Sequence, residues 1–283
     1  MERGRGVLYV VATPIGNLAD ISERARNTLN AVDLIAAEDT RETGRLLAHL
    51  GISARLVSCH EHNAEGCCAR VLEALGEGRD VALVSDAGTP LVSDPGYELV
   101  SAARAADFSV VPVPGPSALI CALSAAGLPS DRFLFLGFPP RGQSQRVALF
   151  ESLLAEPGTL ILYESGKRAV ATLRDLAAVL GERRAVVGRE LTKRFETFLS
   201  ATPAALAERL EDDAEQRLGE LVILVEGQRG EAAPDHAEQE RVLRILAEAL
   251  PLRRAAALAA QVTGAKTNAL YRLGVELELG GKG

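Results

Sequence analysis

Apolar residues in the first part of this chain fall into short unbroken runs rather than an alternating pattern. They occupy residues 6–13 (GVLYVVAT), 33–37 (DLIAA), 55–58 (RLVS), 81–84 (VALV) and 109–113 (SVVPV). Runs of this length, rich in Val, Leu and Ile, predict strands buried on both faces of a parallel sheet. Between them the apolar spacing becomes helical. One helix begins near residues 21–26 with Asp20 as its N-cap, and others cover 42–50, a stretch ending at Leu75 before Gly76 and Gly78, 97–106 and 118–126. Strand and helix in alternation predict right-handed crossovers within one sheet. After residues 127–131 the order becomes less regular. Strands are predicted at 132–138, 159–164, 185–190, 195–199 and 220–226, and helices at 141–156, 167–180 and 203–211. The fold class is therefore α/β. The expected layout is a parallel-sheet domain over 1–116, a mixed-sheet α/β domain over 117–228, a polar linker over 229–239 and a helical tail over 240–283. In the tail, Pro251 opens a second helix and Gly264 separates a third, as in a helix-turn-helix.

The stretch 81–96, VALVSDAGTPLVSDPG, organises the rest. A core strand runs directly into two turn clusters, which suits a ligand-facing rim better than a core. Gly88 permits close approach to the backbone, and Pro90 and Pro95 stiffen the loop before any ligand arrives. Three other strands end in comparable loops, so TPIGN (13–17), AEDTR (37–41), SDAGTP (85–90) and PGPSA (114–118) are predicted on one edge. Ligands of open α/β sheets sit outside the carboxyl ends of the strands.

Composition narrows the class. Of 283 residues 47% are hydrophobic, enough for substantial cores, and no run of about 18 apolar residues is present to predict a membrane span. The N-terminal MERGRG precedes only a short strand, so no signal peptide is expected. Cys59, Cys67, Cys68 and Cys121 form no Cys-x-x-Cys pair, and reduced thiols in a cytoplasmic protein are the expectation. The net charge of −7 excludes a surface that is basic throughout. The tail differs: Arg241, Arg244, Arg253, Arg254, Lys266, Arg272 and Lys282 stand against Glu248, Glu276 and Glu278, with Asn268 and Tyr271 on a possible recognition face. His60 and His62 flank Glu61 with no third metal ligand in view, which fits a surface loop or an RNA contact better than a metal site.

VATPIGNLADIS, AAEDTRETG, SDAGTPLVSDPGYELV, PGPSALICALSAAGLPSDRFLFLGF, LYES and RELTKRFET occur in this order. Together they resemble the ribosomal small-subunit RNA 2'-O-ribose methyltransferase I family of the tetrapyrrole methylase superfamily, over roughly residues 7–227 and the helical tail. The resemblance implies two α/β domains with S-adenosylmethionine between them. It also implies methylation of the ribose 2'-hydroxyl of a cytidine at the decoding site, with ribosomal RNA or a small-subunit particle as partner, and a homodimer. Two departures stand out: Gly166-Lys167-Arg168 where relatives commonly carry His before the Arg, and Ser117 where they often have Cys.

On this reading Gly16, Asp86, Ala87, Gly88, Thr89, Pro90 and Val92 form a cofactor cradle, small residues admitting the cofactor and Asp86 accepting its hydrogen bonds. The superfamily resemblance adds Ile15, Ser117, Ala118, Tyr163 and Leu221. Methyl transfer to a hydroxyl requires alignment of oxygen, methyl and sulfur and a route for the hydroxyl proton. Candidates are Glu38, Asp39, Glu164, Arg189, Glu190, Lys193 and Glu196, with the proton acceptor open among them. RNA contacts are expected from Arg41, His60, His62, Arg253, Arg254, Lys266 and Arg272. Two alternatives make different demands: a small-molecule tetrapyrrole methylase needs an enclosed apolar cleft and no basic tail, and a non-catalytic nucleic-acid-binding regulator needs no SDAGTP loop.

Overall fold

The computed structural model describes residues 5–60, 63–228, 236–277 and 279. The chain forms two compact units, Met1–Gly227 and Gln228–Gly283.

The first unit holds two five-stranded sheets. In one, the order is β3 (Leu56–Ser58), β2 (Leu34–Ala37), β4 (Val81–Val84), β1 (Val7–Val11), β5 (Ser109–Val113), all parallel. The uninterrupted apolar runs are explained by burial on both faces. Leu8, Leu34, Ala36, Val81 and Leu83 pack with α3 (Ala64–Gly76) and α4 (Tyr97–Ala105). Val11, Ile35, Ala37, Ala82 and Val84 pack with α1 (Glu23–Ala31) and α2 (Thr40–Leu50). Successive residues of one strand thus feed opposite cores. Register aligns Ala37 with Val84 and Val11 with Val113, so the strands deliver their following loops to a common edge.

The second sheet is mixed: β6 (Phe133–Gly137), β7 (Thr159–Ser165), β10 (Glu220–Val225), β8 (Ala185–Arg189), β9 (Thr197–Ala201), with only β6 and β7 parallel. One face is covered by α6 (Gln143–Glu151), α7 (Gly166–Leu180) and α8 (Pro203–Asp212). The other is covered by α5 (Ala118–Ala126), whose Leu119, Ala122 and Leu123 meet Ile161, Val186, Val222 and Leu224; Ile15 and Val92 from first-sheet loops join this cluster.

In the second unit α9 (His236–Ala247), α10 (Leu252–Thr263) and α11 (Thr267–Glu276) close around Leu243, Ala255, Ala256, Ala259 and Leu270. Gly264 ends α10 in the left-handed conformation at φ 72°, a turn that a Cβ would strain. A Cβ on Gly274 would lie 2.3 Å from Leu252 Cδ1, so this glycine sets how closely α10 and α11 approach.

Several local expectations are corrected. Ser22, not Asp20, caps α1: its hydroxyl accepts from the Ala25 amide at 3.0 Å, while Asp20 closes a short 3-10 turn. The helix expected over 42–50 begins at Thr40, because the Asp39 carboxylate caps it through the Arg41 amide at 2.8 Å. The helix expected over 141–156 spans only Gln143–Glu151. The tail helix begins at His236, inside the expected linker. Cys59 and Cys67 form a disulfide with Cα atoms 5.3 Å apart, whereas Cys68 and Cys121 are free thiols. Motif spacing does not reveal this pairing, which arises because the strand end carrying Cys59 lies against the first turn of α3, where Cys67 sits.

Candidate active site

The edge loops of the parallel sheet are tied to one another through the backbone. Thr13 and Gly88 exchange backbone hydrogen bonds (2.8 and 3.1 Å), the Thr13 hydroxyl donates to the Ser85 carbonyl (3.2 Å), and the Thr89 hydroxyl donates to the Pro116 carbonyl (3.0 Å). Asp86 is held against the AEDTR loop: its amide donates to Glu38 Oε2 (3.2 Å) and its Oδ1 accepts from the Asp39 amide (3.0 Å). The second sheet joins through Tyr163, whose hydroxyl accepts from the Leu119 amide at the start of α5 (3.1 Å), and whose ring packs edge-on against Phe135 and Phe138.

These loops enclose a cleft of about 220 Å³. Of the expected cofactor residues, Ile15, Asp86, Ala87, Gly88, Thr89, Val92, Ser117, Ala118, Tyr163 and Leu221 line it. Gly88 at φ 86° leaves room beside Ile15, since a Cβ there would sit 3.3 Å from the Ile15 methyl. Two expected residues act from outside the lining. Pro90, at the end of the SDAGTP loop, is buried. Gly16 borders a neighbouring depression, where its missing Cβ leaves space for the Lys193 stem; a Cβ would lie 2.5 Å from Lys193 Cγ.

The catalytic candidates divide. Glu190 and Lys193 line the cleft, with Lys193 Nζ donating to Glu190 Oε1 at 3.0 Å. Glu164 also lines it but is 1% exposed, and its oxygens accept from the Ser165 amide (2.8 Å), the Thr172 hydroxyl (2.7 Å) and Arg168 (3.2 Å). Arg168 further donates to the carbonyls of Pro139 and Pro140, so Glu164 belongs to a structural network around the start of α7. Arg189 is buried and fastens two turns by donating to the Glu215 and Phe195 carbonyls. Glu196 accepts from the Thr192 amide at 2.6 Å and shapes the RELTK turn.

Six lining residues are not among those expected from sequence: Ser93, Asp94, Phe138, Leu191, Glu220 and Val222. The SDPG turn was the available signal for Ser93 and Asp94, and Glu220 and Val222 flank the expected Leu221; nothing local marks Phe138 or Leu191. Burial, reinforced by the charges of Glu38 and Asp86, pushes the Asp94 carboxyl up to about 6. Burial also raises Asp86. Asp39 goes the opposite way, held well below the usual carboxylate range by hydrogen bonds from Arg41. Strain concentrates here too. Of the five non-glycine residues at positive φ among the described residues, Leu91 and Ser93 lie in the SDAGTP–SDPG loop and Glu190 and Thr192 in RELTK. Left-handed backbone at such residues persists where surrounding structure enforces it, a common condition at ligand sites.

The expected RNA contacts are scattered. Arg41 is exposed and paired with Asp39 at 2.6 Å. His60 borders a small crevice beside Pro95 and Gly96, away from the cleft lining. His62 lies outside the described residues. Arg253, Arg254, Lys266 and Arg272 are exposed on the second unit, as are Asn268 and Tyr271.

Comparison with known proteins agrees with this architecture. A family model described as Tetrapyrrole (Corrin/Porphyrin) Methylases matches residues 7–207, and one described as the RsmI C-terminal HTH domain matches residues 233–278. The chain is 52% identical over 276 residues to the ribosomal RNA small subunit methyltransferase I of Escherichia coli O157:H7, covering 97% of this chain and 96% of that protein. It is also 52% identical to the protein of that name from Pseudomonas aeruginosa, over 94% of this chain and 96% of the other. Among solved structures, diphthine synthase superposes with a TM-score of 0.59 at 14% identity, over 78% of this chain and 90% of that one. The native uroporphyrin III C-methyltransferase of Thermus thermophilus gives 0.54 at 21%, over 77% and 97%. The structural likenesses establish the fold; with identity near one half along almost the whole length, the chain belongs to the ribosomal RNA small subunit methyltransferase I family of tetrapyrrole methylases.

Proposed function

We propose that this protein transfers a methyl group from S-adenosylmethionine to the ribose 2'-hydroxyl of a cytidine at the decoding site of small-subunit ribosomal RNA, acting in the cytoplasm as a homodimer. The observation that carries the reading is the cleft closed by edge loops of both sheets, small and apolar along one wall and acidic along another. Ala87, Gly88, Ser117 and Ala118 leave space for a flat heterocycle, with Val92, Leu191 and Leu221 supplying apolar surface. Glu38, Asp86 and Asp94 line the same cleft and complement a ligand bearing an ammonium and a sulfonium. Bound S-adenosylmethionine supplies a methyl carbon already activated by its positive sulfur.

The protein's remaining work is to position the hydroxyl and receive its proton. Glu164 is poorly suited to that role, because its oxygens already hold Arg168, Thr172 and the Ser165 amide. Glu190, fixed by Lys193, and Asp94, whose carboxyl burial pushes up to about 6, are better suited. The two sheets are read as separate lobes divided at 116/117. Arg41 on the first unit and Arg253, Arg254, Lys266 and Arg272 on the second are read as RNA contacts, consistent with their charge and exposure, and the half-buried His60 is read as a further one.

The test is calorimetric titration with S-adenosylmethionine, followed by labelled-methyl transfer to small subunits lacking the modification. Binding with transfer to one cytidine 2'-oxygen is expected. Binding with no transfer to RNA moves the assignment to a small-molecule acceptor, and absence of binding removes the methyltransferase reading.

A further inference from the structure

A second depression of about 330 Å³ opens beside the cleft. Its outer wall combines Pro14, Leu18 and Leu46 with Glu42 and Arg45. The wall it shares with the cleft is made of Ile15, Asp86, Ala87, Lys193 and Glu220, which line both spaces. A methyl group passing from donor to acceptor must cross where the two ligands meet, and only residues of a common wall can touch both.

We propose that this depression is the subsite for the acceptor nucleotide, distinct from the donor cleft. The inference rests on the methyltransferase reading above. Leu18, 42% exposed on the 3-10 turn after TPIGN, and the half-buried Leu46 offer apolar surface for a base or ribose. Arg45, its side chain 75% exposed, is steadied by Glu42 at 2.5 Å one turn earlier on α2, and so presents a guanidinium to a phosphate. Lys193 is the other cation of the depression, and its stem fills the space left by Gly16. Apolar surface for a base beside cations for phosphate is the composition that single-stranded nucleic acid requires.

The experiment uses the full-length protein with methyl-deficient small subunits, comparing wild type with Leu18→Asp, Arg45→Ala and Arg45→Lys. Folding is checked by melting temperature and donor affinity by calorimetry. The expected result for Leu18→Asp and Arg45→Ala is a rise of roughly tenfold in the KM for the subunit, with donor affinity within about twofold of wild type. Arg45→Lys should recover part of the loss. Arg45→Ala should also flatten the dependence of log KM on log salt by about one unit. Variants that methylate with wild-type KM overturn the subsite and leave the methyltransferase reading intact. Donor affinity falling in parallel overturns it as well, since the depression would then belong to the donor. A wild-type protein that binds S-adenosylmethionine but leaves the RNA unmethylated overturns the broader reading and the subsite with it.

Discussion

Asp94 shows how much a single residue's surroundings decide. In sequence it is the acid of an ordinary Ser-Asp-Pro-Gly turn; in the fold it lies in the cleft with Glu38 and Asp86, and its carboxyl titrates near 6 rather than the usual 3.8. A carboxyl raised on folding binds its proton more tightly in the folded chain. The stability it contributes is therefore complete below about pH 4 and is lost as pH rises through about 6. Asp94→Asn keeps a neutral side chain at every pH. The variant should melt with wild type at pH 4 and above it at pH 8; equal melting temperatures at both would show that Asp94 is not desolvated. Glu164 makes the complementary point: it is also buried at the cleft, yet its oxygens are taken up by the start of α7.

At the scale of elements, what α6 does is hidden in its sequence. Arg146 in QSQRVALFE reads as a solvated helix position, yet it and Asp175 of α7 are each 6% exposed. Arg146 Nε donates to Asp175 Oδ2 at 2.7 Å, Gln143 holds Oδ1 at 2.9 Å, and the second guanidinium nitrogen reaches the Pro140 and Arg141 carbonyls. The pair thus joins α6, α7 and the loop leading into α6. Removing one partner of a buried pair strands the other charge, so Arg146→Ala should lower unfolding free energy by about 3–5 kcal/mol. Denaturant titration reads this directly, and a loss below about 1 kcal/mol would mean that water replaces the arginine. The strained turns obey the same logic, since neither Leu91 and Ser93 nor Glu190 and Thr192 would hold positive φ outside the loops that surround them.

The whole molecule divides into a unit with two sheets and a helical unit with its own core of Leu243, Ala255, Ala256, Ala259 and Leu270. A separate core predicts that residues 1–227 fold without the tail. The exposed Arg253, Arg254, Lys266 and Arg272 predict what that truncated chain loses. It should keep S-adenosylmethionine affinity within about twofold, bind small-subunit RNA more weakly, and show a shallower salt dependence because fewer phosphates are neutralised. Calorimetry and filter binding across a salt series separate these effects. Equal loss of donor and RNA affinity would assign the tail a structural role instead.

Much of this protein is determined locally and could be read before folding. Unbroken apolar runs mark the central strands β2, β4 and β8, because a strand buried on both faces needs apolar residues at nearly every position. Gly and Pro at three strand ends, with the charged AEDTR at a fourth, mark the ligand-facing edge, since few other residues permit such turns. The SDAGTP, TPIGN and RELTK strings carry the family. Tertiary structure alone decided the rest. It buried Arg146 and raised Asp94, paired Cys59 with Cys67, occupied the oxygens of Glu164 and placed the Lys193 stem over Gly16. Each of these depends on a partner distant in the chain or brought near only by the turn of the backbone. Burial, charge and close approach are properties of neighbours in space, and periodicity along a sequence reports only which face of its own element a residue occupies.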